Sequence, residues 1–305
     1  MSTSYPIGVD IAKQTLHTDD GLRHRIVANQ PAALRRWLRT LPPSAQLICE
    51  PSGGYERTLL SCAREVGVGA SLINARHARA FARGLGHEEK TDRLDAAVLR
   101  RYGDCVQPRS TPAPDPALLE LQQLVRTRAH YANQLQRERN RLELLEGPAL
   151  RQLNARQCAH WKQVLDELDA QILAHVQDHE RLNNRMQTLC LVCGVGPQTS
   201  LTLVAEFPEL GQLNKRSVAK LAGLAPLSQE SGQWQGRRHI AHGRAHVRRA
   251  LFQAALVAAR HNKHLKPFYQ RLRANGKPPK VALVATARKL LIFLNRILKD
   301  DCSTF

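Results

Sequence analysis

Four prolines, at positions 108, 112, 114 and 116, divide the chain into two parts with different hydrophobic patterns. So much proline does not continue a helix or a central strand, and it therefore predicts a linker over residues 107–116. Before the linker, short apolar runs alternate with amphipathic patterns, whereas after it long helical patterns follow one another. We therefore expect the 305 residues to form more than one domain.

The first part has the pattern of an α/β layer fold. Residues 6–12 and 46–49 are apolar runs with β-branched side chains, which predicts two buried strands. Amphipathic helical patterns cover 31–41, 55–66 and 92–102. Because short strands alternate here with helices, residues 1–106 are predicted to form an α/β domain.

Residues 117–189 carry long helical patterns. From Leu121 to Leu145, six of eight positions at alternating steps of three and four are apolar, and Gly147-Pro148 ends the run. A second pattern runs from Trp161 to Leu189. Such helices predict either an antiparallel hairpin or a coiled-coil arm of a dimer, and the sequence leaves both open. Residues 190–305 are predicted to form a mostly α-helical domain interrupted by glycines.

Positive charge is concentrated in the last third of the chain. Residues 211–305 contain 19 lysines and arginines but only three acidic residues, which is +16 of the net charge of +19. An excess of this size predicts a polyanionic partner, most often nucleic acid, with an anionic membrane surface as the other polyanion that fits. A solvated basic face is the alternative, but such faces usually mix both signs of charge.

Four carboxylates lie in settings typical of a metal site. Asp10 lies inside an apolar strand pattern, and Glu50 follows the second strand. Asp92 and Asp95 are three residues apart and share one helix face. Carboxylates brought together repel one another unless a cation binds between them, and Mg²⁺ prefers oxygen ligands. We predict two Mg²⁺ ions here, with Mn²⁺ as a substitute. The alternatives are an ion pair of Asp10 with Lys13 or a downstream arginine, and a solvated helix face for Asp92 and Asp95.

Glycines and a serine mark two further segments. G-V-G-P at 194–197 precedes an apolar helical pattern, and the backbone N–H groups of such a turn can hold a phosphate. This makes Gly194 and Gly196 candidate nucleic-acid contacts, with a plain helix turn as the alternative. Ser231 precedes Gly232 in a polar segment, where most serines are turn residues. Arginines that could neutralise a phosphate follow it, namely Arg237, Arg238, Arg244, Arg248 and Arg249.

The motifs in this order resemble those of one family over essentially the whole chain. They are G-V-D-I-A-K (8–13), E-P-S-G-G-Y-E (50–56), K-T-D-R-L-D-A (90–96), G-V-G-P-Q-T (194–199), G-L-A-P-x4-S-G (223–232), G-R-x3-R (243–248) and A-R-K-L-L (287–291). The chain resembles the DEDD-type transposases of bacterial insertion sequences, the "one-ten" family of bridge-RNA-guided recombinases. This resemblance predicts an enzyme that excises and inserts an insertion sequence by Mg²⁺-dependent strand cleavage and exchange.

The resemblance implies a RuvC-like, RNase H-type domain in residues 1–106, whose metal-holding catalytic acids correspond to Asp10, Glu50, Asp92 and Asp95. It implies a coiled-coil segment over 117–189 and a helical transposase domain over 190–305. In that last domain Ser231 would attack a DNA phosphodiester and form a covalent phosphoserine. The acids of one subunit would act with the serine of another, so a homo-oligomer, either a dimer or a tetramer, is expected.

The partners implied by the resemblance are donor DNA, target DNA and an element-encoded bridge RNA. Besides the arginines after Ser231, basic residues within the motifs are expected to contact the nucleic-acid backbone, namely Lys13, Lys90 and Arg93. No apolar run is long enough to span a membrane, and the N-terminal residues lack the pattern of a secretory signal. We therefore expect a cytoplasmic, nucleoid-associated protein with no membrane partner.

Two other functions stay open at the level of sequence. A RuvC-like junction nuclease that uses water would leave Ser231 as a turn residue and would never form protein-linked DNA. A non-catalytic nucleic-acid-binding protein would use the acids structurally and would show salt-dependent binding without Mg²⁺-dependent cutting.

Overall fold

The structure is a computed structural model that describes residues 4–86, 91–227, 230–231, 234–235 and 239–301, with side chains described except at 230, 231, 234, 235, 300 and 301. The chain forms two compact units, and the boundary between them lies between Ala113 and Pro114. Three residues predicted to contact nucleic acid lie outside the described residues, namely Lys90, Arg237 and Arg238.

The first unit contains a mixed five-stranded sheet in the order β3-β2-β1-β4-β5. Strand β1 pairs antiparallel with β2 and parallel with β4. The predicted strands at 6–12 and 46–49 correspond to β1 and β4. Strands β2, β3 and β5 do not stand out in the sequence because they are short and carry polar residues. The strands are β1 Tyr5–Ile11, β2 Thr15–Asp19, β3 His24–Ala28, β4 Ala45–Cys49 and β5 Gly69–Leu72.

Helices cover both faces of this sheet. Side chains of α1 and α2 form one core with Val9 and Leu47, whereas α4 packs on the other face against Ile48. Three of these helices follow the predicted patterns, although α1 ends earlier and α4 ends later than expected. The helix α3 is additional. The helices are α1 Pro31–Leu38, α2 Glu56–Val66, α3 Ala75–Gly84 and α4 Asp92–Val106.

The start of the proline-rich segment lies along the free edge of β5. The Thr111 backbone N–H donates to the Ala70 carbonyl at 2.7 Å. The Leu72 N–H in turn donates to Thr111 Oγ1 at 2.9 Å. These bonds cover part of an otherwise open sheet edge. The predicted linker therefore begins as an ordered part of the first unit, and it ends at Pro116, the first residue of the next helix.

The second unit is mainly helical. The helical pattern expected to run to Leu189 is interrupted after Gln177, so that it forms two helices, α6 and α7. Short strand pairs lie between α9 and α10: β6 Pro226–Leu227 pairs with β9 His239–Ile240, and β7 Glu230–Ser231 pairs with β8 Trp234–Gln235. The helices are α5 Pro116–Leu142, α6 Pro148–Gln177, α7 Glu180–Cys190, α8 Pro197–Glu206, α9 Lys215–Leu221, α10 Ala245–His261, α11 Leu265–Ala274 and α12 Pro279–Asp301.

Helices α5 and α6 form an antiparallel hairpin within one chain. Arg128 on α5 donates to both carboxylate oxygens of Asp169 on α6, at 2.5 and 2.9 Å. Nearer the turn, the rings of Tyr131 and Trp161 stack with centroids 5.1 Å apart. Of the two arrangements that the sequence left open for 117–189, the structure thus has the hairpin.

Helix α4 lies against β1 with almost no space between the two backbones. A Cβ added at Gly8 on β1 would be 1.9 Å from the carbonyl oxygen of Ala96 on α4. One added at Gly103, farther along α4, would be 2.6 Å from the Cβ of Pro6. Glycine at both positions allows this approach, and the approach determines where the first turn of α4 lies.

We expect Gly8→Ala to push α4 away from β1 and to lower the free energy of unfolding of the first unit by about 1–3 kcal/mol, as overpacking does. Hydrogen exchange of the β1 amides in increasing urea measures this effect within that unit. Gly84→Ala is the matched control, because nothing lies within 4 Å of a Cβ added at the end of α3. Equal unfolding of the two variants would contradict the close packing of α4.

Candidate active site

Asp10 on β1 faces the helix α4. The parallel register aligns Gly8 with Ile48, and both of these residues face α4. Because side chains alternate along a strand, Asp10, two residues beyond Gly8 on β1, lies on that same face. Asp10 thus lies near the carboxyl end of β1 and Glu50 directly after β4, but Glu50 is not among the charges that act on the pKa of Asp10.

The other two acids lie in the first turn of α4. Thr91 caps this helix, since its Oγ1 accepts a hydrogen bond from the Leu94 N–H at 3.3 Å. Asp92 and Asp95 follow at once and benefit from the partial positive charge of the helix N-terminus. The close packing of α4 on β1 brings this turn to Asp10.

Electrostatics shows that three of the predicted acids converge. Burial raises the pKa of Asp10, and the charges of Asp95 and Asp92 raise it further. Among the described atoms, no lysine or arginine forms an ion pair with Asp10, so the ion-pair alternative for Asp10 does not hold there. Asp10, Asp92 and Asp95 are called the carboxylate cluster below.

Two histidines of the sheet lie beside the carboxylate cluster, and neither was predicted from the sequence. His17 is opposite Asp10 in the β1–β2 register, and its Nε2 is 3.6 Å from Asp92 Oδ2. Its Nδ1 is 3.3 Å from His24 Nε2. Burial lowers the pKa of His24, and the positive charges of His17 and Arg93 lower it further. The only sequence signal for His17 is its position across the tight turn from Asp10.

The carboxylate cluster has the donor chemistry of a divalent-cation site. Its ligand atoms are carboxylate oxygens, which hard cations prefer, and a bound cation would relieve the repulsion that raises the pKa of Asp10. Within the described part of the chain, no three His, Cys, Asp or Glu side chains are close enough together to hold a metal ion as they stand. The two predicted cations near the cluster, Lys13 and Arg93, are exposed.

Glu56 organises the turn that directly follows Glu50. Its Oε2 accepts hydrogen bonds from the Ser52 N–H, the Ser52 hydroxyl and the Gly54 N–H, all at 2.9 Å. Burial acts to raise the pKa of Glu56, but these bonds outweigh it and lower the pKa overall. Gly53 and Gly54 have φ of 76° and 119°, which favours glycine at both positions.

Asn29 connects this turn to the end of β1. Its Nδ2 donates to the carbonyl oxygens of Ala12 at 3.1 Å and Tyr55 at 3.2 Å. Its Oδ1 is the buried side-chain atom that has no hydrogen-bond partner within the described chain. Glu56 and Asn29 thus position backbone near the strand acids, and neither role is visible in the sequence pattern.

In the second unit, Ser231 lies on β7, and its backbone pairs with Trp234 on β8. The residues from 223 to 243 are called the serine segment below. The backbone at the start of this segment lies in close contact with the backbone at its end. A Cβ added at Gly223 would be 2.2 Å from the His242 carbonyl oxygen, and one at Gly243 would be 2.2 Å from the Gly223 nitrogen. Only glycines allow the two ends to cross this closely.

Three of the five arginines predicted to neutralise a phosphate near Ser231 are described, and their surroundings differ. Arg244 donates from Nη1 and Nη2 to the two carboxylate oxygens of Glu209, each at 2.6 Å. Arg248 donates to the His242 carbonyl at 2.5 Å. Arg249 is exposed and has no described partner. The arrangement of Arg244 thus differs from the predicted phosphate contact, because a carboxylate of the same chain occupies its guanidinium group.

The glycine turn before α8 has a packing role at its first residue. Gly194 has φ of 105°, and a Cβ there would be 2.8 Å from the Cβ of Ala258 on α10. Gly196 caps α8, and nothing lies within 4 Å of a Cβ added to it. Close packing therefore explains Gly194, whereas Gly196 has no such packing reason and stays a candidate phosphate contact.

Comparisons with known proteins find matches in both parts of the chain, and the first match extends beyond the boundary between the two units. A family model described as transposase matches residues 7–147, and one described as transposase IS116/IS110/IS902 family matches 186–270. The pilin gene-inverting proteins of Moraxella lacunata and Moraxella bovis are each 28% identical over 315 residues, which cover 99% of this chain and 97% of theirs. An uncharacterized 43.6 kDa protein of insertion element IS110 from Streptomyces coelicolor is 30% identical over 140 residues, 44% of this chain and 32% of its own.

We expect Asp10→Asn to stabilise the metal-free protein. The substitution removes one of three mutually repelling charges from a half-buried position, and the gain should be about 1 kcal/mol. Thermal unfolding in the presence of EDTA measures it. Asp104→Asn is the control, since Asp104 on the same helix pairs with Arg100 at 2.7 Å and should give no gain. A lower melting temperature for Asp10→Asn would contradict the convergence of the acids.

Glu56→Gln should destabilise the protein. We expect the free energy of unfolding to fall by about 1 kcal/mol, because hydrogen bonds to a charged acceptor become bonds to a neutral one. Since the pKa of Glu56 is lowered by folding, its contribution is present above its unfolded pKa and is lost as the pH falls through the folded pKa. Unfolding of wild type and variant from pH 7 to pH 3 measures the difference. A difference that does not shrink on acidification would contradict this role.

Proposed function

Because the chain belongs to the IS110 family of transposases, we propose that it excises and inserts a DNA element by metal-dependent strand cleavage and exchange. The observation that carries this mechanism is the convergence of Asp10, Asp92 and Asp95 in the first unit. Two relatives of the chain are named pilin gene-inverting proteins. Their name points to inversion of a DNA segment, which uses the same cutting and joining of phosphodiesters.

The metal site of the proposal consists of the carboxylate cluster and Glu50, with two Mg²⁺ ions and Mn²⁺ as a substitute. A cation bound there supplies Lewis-acid stabilisation of the charge that develops on the phosphate. The chain holds these acids in place through Thr91, which caps α4, and through Glu56, which fixes the turn after Glu50. A RuvC-like fold is supported by the mixed five-stranded sheet, in which Asp10 lies on the central strand.

The nucleophile of the proposal is the Ser231 hydroxyl. Its Oγ loses a proton and bonds to the scissile phosphorus, while a deoxyribose oxygen leaves and takes up a proton. A hydroxyl of the partner DNA end then attacks the phosphoserine and releases Oγ. Each step replaces one phosphate ester bond by another, so strand exchange needs no nucleoside triphosphate. The support for Ser231 is its motif and its position on β7 within the crossed ends of the serine segment.

Donor DNA, target DNA and an element-encoded bridge RNA are the proposed partners. The support is electrostatic: α10, α11 and α12 contain no acidic residue before Asp300 but many lysines and arginines. Backbone phosphates are the groups that such a surface attracts in either nucleic acid. We expect Lys13, Arg93, Arg248 and Arg249, together with Lys90, Arg237 and Arg238, to contribute to this attraction.

A homo-oligomer is part of the proposal, in which the acids of one subunit act with Ser231 of another. The acids belong to the first compact unit and the serine to the second. A dimer or tetramer would supply both units to each DNA strand. No helix in the described part of the chain is long and apolar enough to cross a membrane.

The experiment that tests the mechanism is a search for covalent protein–DNA adducts in cells that carry the complete element. We expect an adduct on Ser231 that disappears in Ser231→Ala and in Asp10→Ala, while DNA binding persists in both. Ser228→Ala is the matched control and should keep the adduct. Cut DNA without any adduct would instead show water as the nucleophile, and binding without Mg²⁺-dependent cutting would show a non-catalytic protein.

A further inference from the structure

We propose that Arg244 is a positioning residue that works with Glu209 to hold the two ends of the serine segment, and that it does not contact nucleic acid. The inference rests on the proposed function only where it assigns the nucleophile to Ser231. The anchoring itself follows from contacts within the second unit.

The guanidinium group of Arg244 is held on three sides. Both of its Nη atoms bond to the Glu209 carboxylate, and Nη1 also donates to the Glu206 carbonyl at 2.9 Å. The group lies over the ring of Phe207 at 5.3 Å from its centroid. Hydrogen bonds from Arg244 lower the pKa of Glu209 against the effect of its burial. A bidentate pair of this kind is among the stronger and more directional side-chain contacts.

Glu206, whose carbonyl oxygen Arg244 contacts, is itself held in place by a second arginine. Glu206, at the end of α8, is buried and accepts from Nε and Nη2 of Arg126 on α5, at 2.5 and 2.8 Å. The residues from Glu206 to Glu209 therefore belong to a framework that includes α5 and α8. Arg244 connects the serine segment to this framework.

Arg244 lies where it can hold both ends of the serine segment at once. It is the first residue after the serine segment and the N-cap of α10. Its backbone N–H donates to the Leu221 carbonyl at 3.0 Å, directly before the segment begins. The crossing of Gly223 and Gly243 lies between these two points. Movement of Arg244 would therefore disturb the entry and the exit of the segment together.

A phosphate contact by Arg244 conflicts with this geometry. To reach a phosphate, the guanidinium would have to leave Glu209 and expose a half-buried carboxylate next to the incoming anion. Arg249, five residues on, is exposed and has no described carboxylate partner. The two arginines thus form a matched pair, one for anchoring and one for phosphate.

The test compares Arg244→Ala, Arg249→Ala and Glu209→Gln in the full-length protein with its nucleic-acid partners. For Arg244→Ala and Glu209→Gln we expect joining to slow at least about tenfold, while the DNA concentration for half-maximal rate and the salt slope of binding stay unchanged. For Arg249→Ala we expect weaker binding and a salt slope smaller by about one. A reduced salt slope in Arg244→Ala, or tighter DNA binding by Glu209→Gln, would overturn the proposal.

Hydrogen exchange separates positioning from general loss of structure. Peptides that contain β6 and β9 should exchange faster in Arg244→Ala and Glu209→Gln, while the helix α12 exchanges as in wild type. Arg244→Lys keeps the charge but lacks the two-pronged fork, so it should not restore protection or joining. Full recovery with lysine would overturn the role of the bidentate pair.

Ser231→Ala makes the two proposals distinguishable. It should lose joining but keep the hydrogen exchange of β6 and β9 at the wild-type rate. Normal joining by Ser231→Ala would reject the serine mechanism, whereas the exchange rates in Arg244→Ala would still decide whether Arg244 is an anchor. Wild-type exchange in Arg244→Ala would overturn the anchor whatever the role of Ser231.

Discussion

The close approach of α4 to β1 is the constraint on which the candidate active site depends. The glycine at position 8 lets the α4 backbone come into contact with the central strand, and the first turn of that helix then lies beside Asp10. The resulting carboxylate cluster is unfavourable for the folded chain, because burial and like charge both oppose ionisation of Asp10. A bound cation would relieve this repulsion. Functional sites often lower the stability of the folded chain in this way.

The acids that stabilise the fold differ electrostatically from the acids of the candidate site. Glu56, Asp169, Glu206 and Glu209 each accept several hydrogen bonds from backbone groups or from an arginine. Within the described chain, Asp10 pairs with no arginine; burial and two neighbouring carboxylates raise its pKa, against smaller lowering effects of the Ile11 N–H and His17. Satisfied carboxylates stabilise a fold, whereas carboxylates that repel one another at the end of a sheet provide binding capacity. The same reasoning separates Arg244, which pairs with Glu209, from Arg249, which is exposed and has no partner among the described residues.

Much of the site was predictable because its signals are local. Apolar runs revealed β1 and β4, helical periodicity revealed α1, α2 and α4, and the cap at Thr91 follows from residue type alone. The strand β2 escaped prediction because its residues T-L-H-T-D mix polar and apolar side chains. For the same reason His17 on β2 was not predicted, because only the pairing of β1 with β2 places it opposite Asp10. The break between α6 and α7 has no proline or glycine to mark it.

The sequence by itself determined the α/β character of the first unit, the helical character of the second and the excess of positive charge, and it singled out the three acids of the carboxylate cluster together with Glu50. These properties depend on composition and on periodicities of two to four residues. Only the tertiary structure decided that the α5–α6 helices pack within one chain and that Gly194 serves packing. It also decided which arginine meets a carboxylate, since Glu209 lies 35 residues before Arg244. No local pattern specifies such a partner, because the contact forms only after the chain has brought distant segments together.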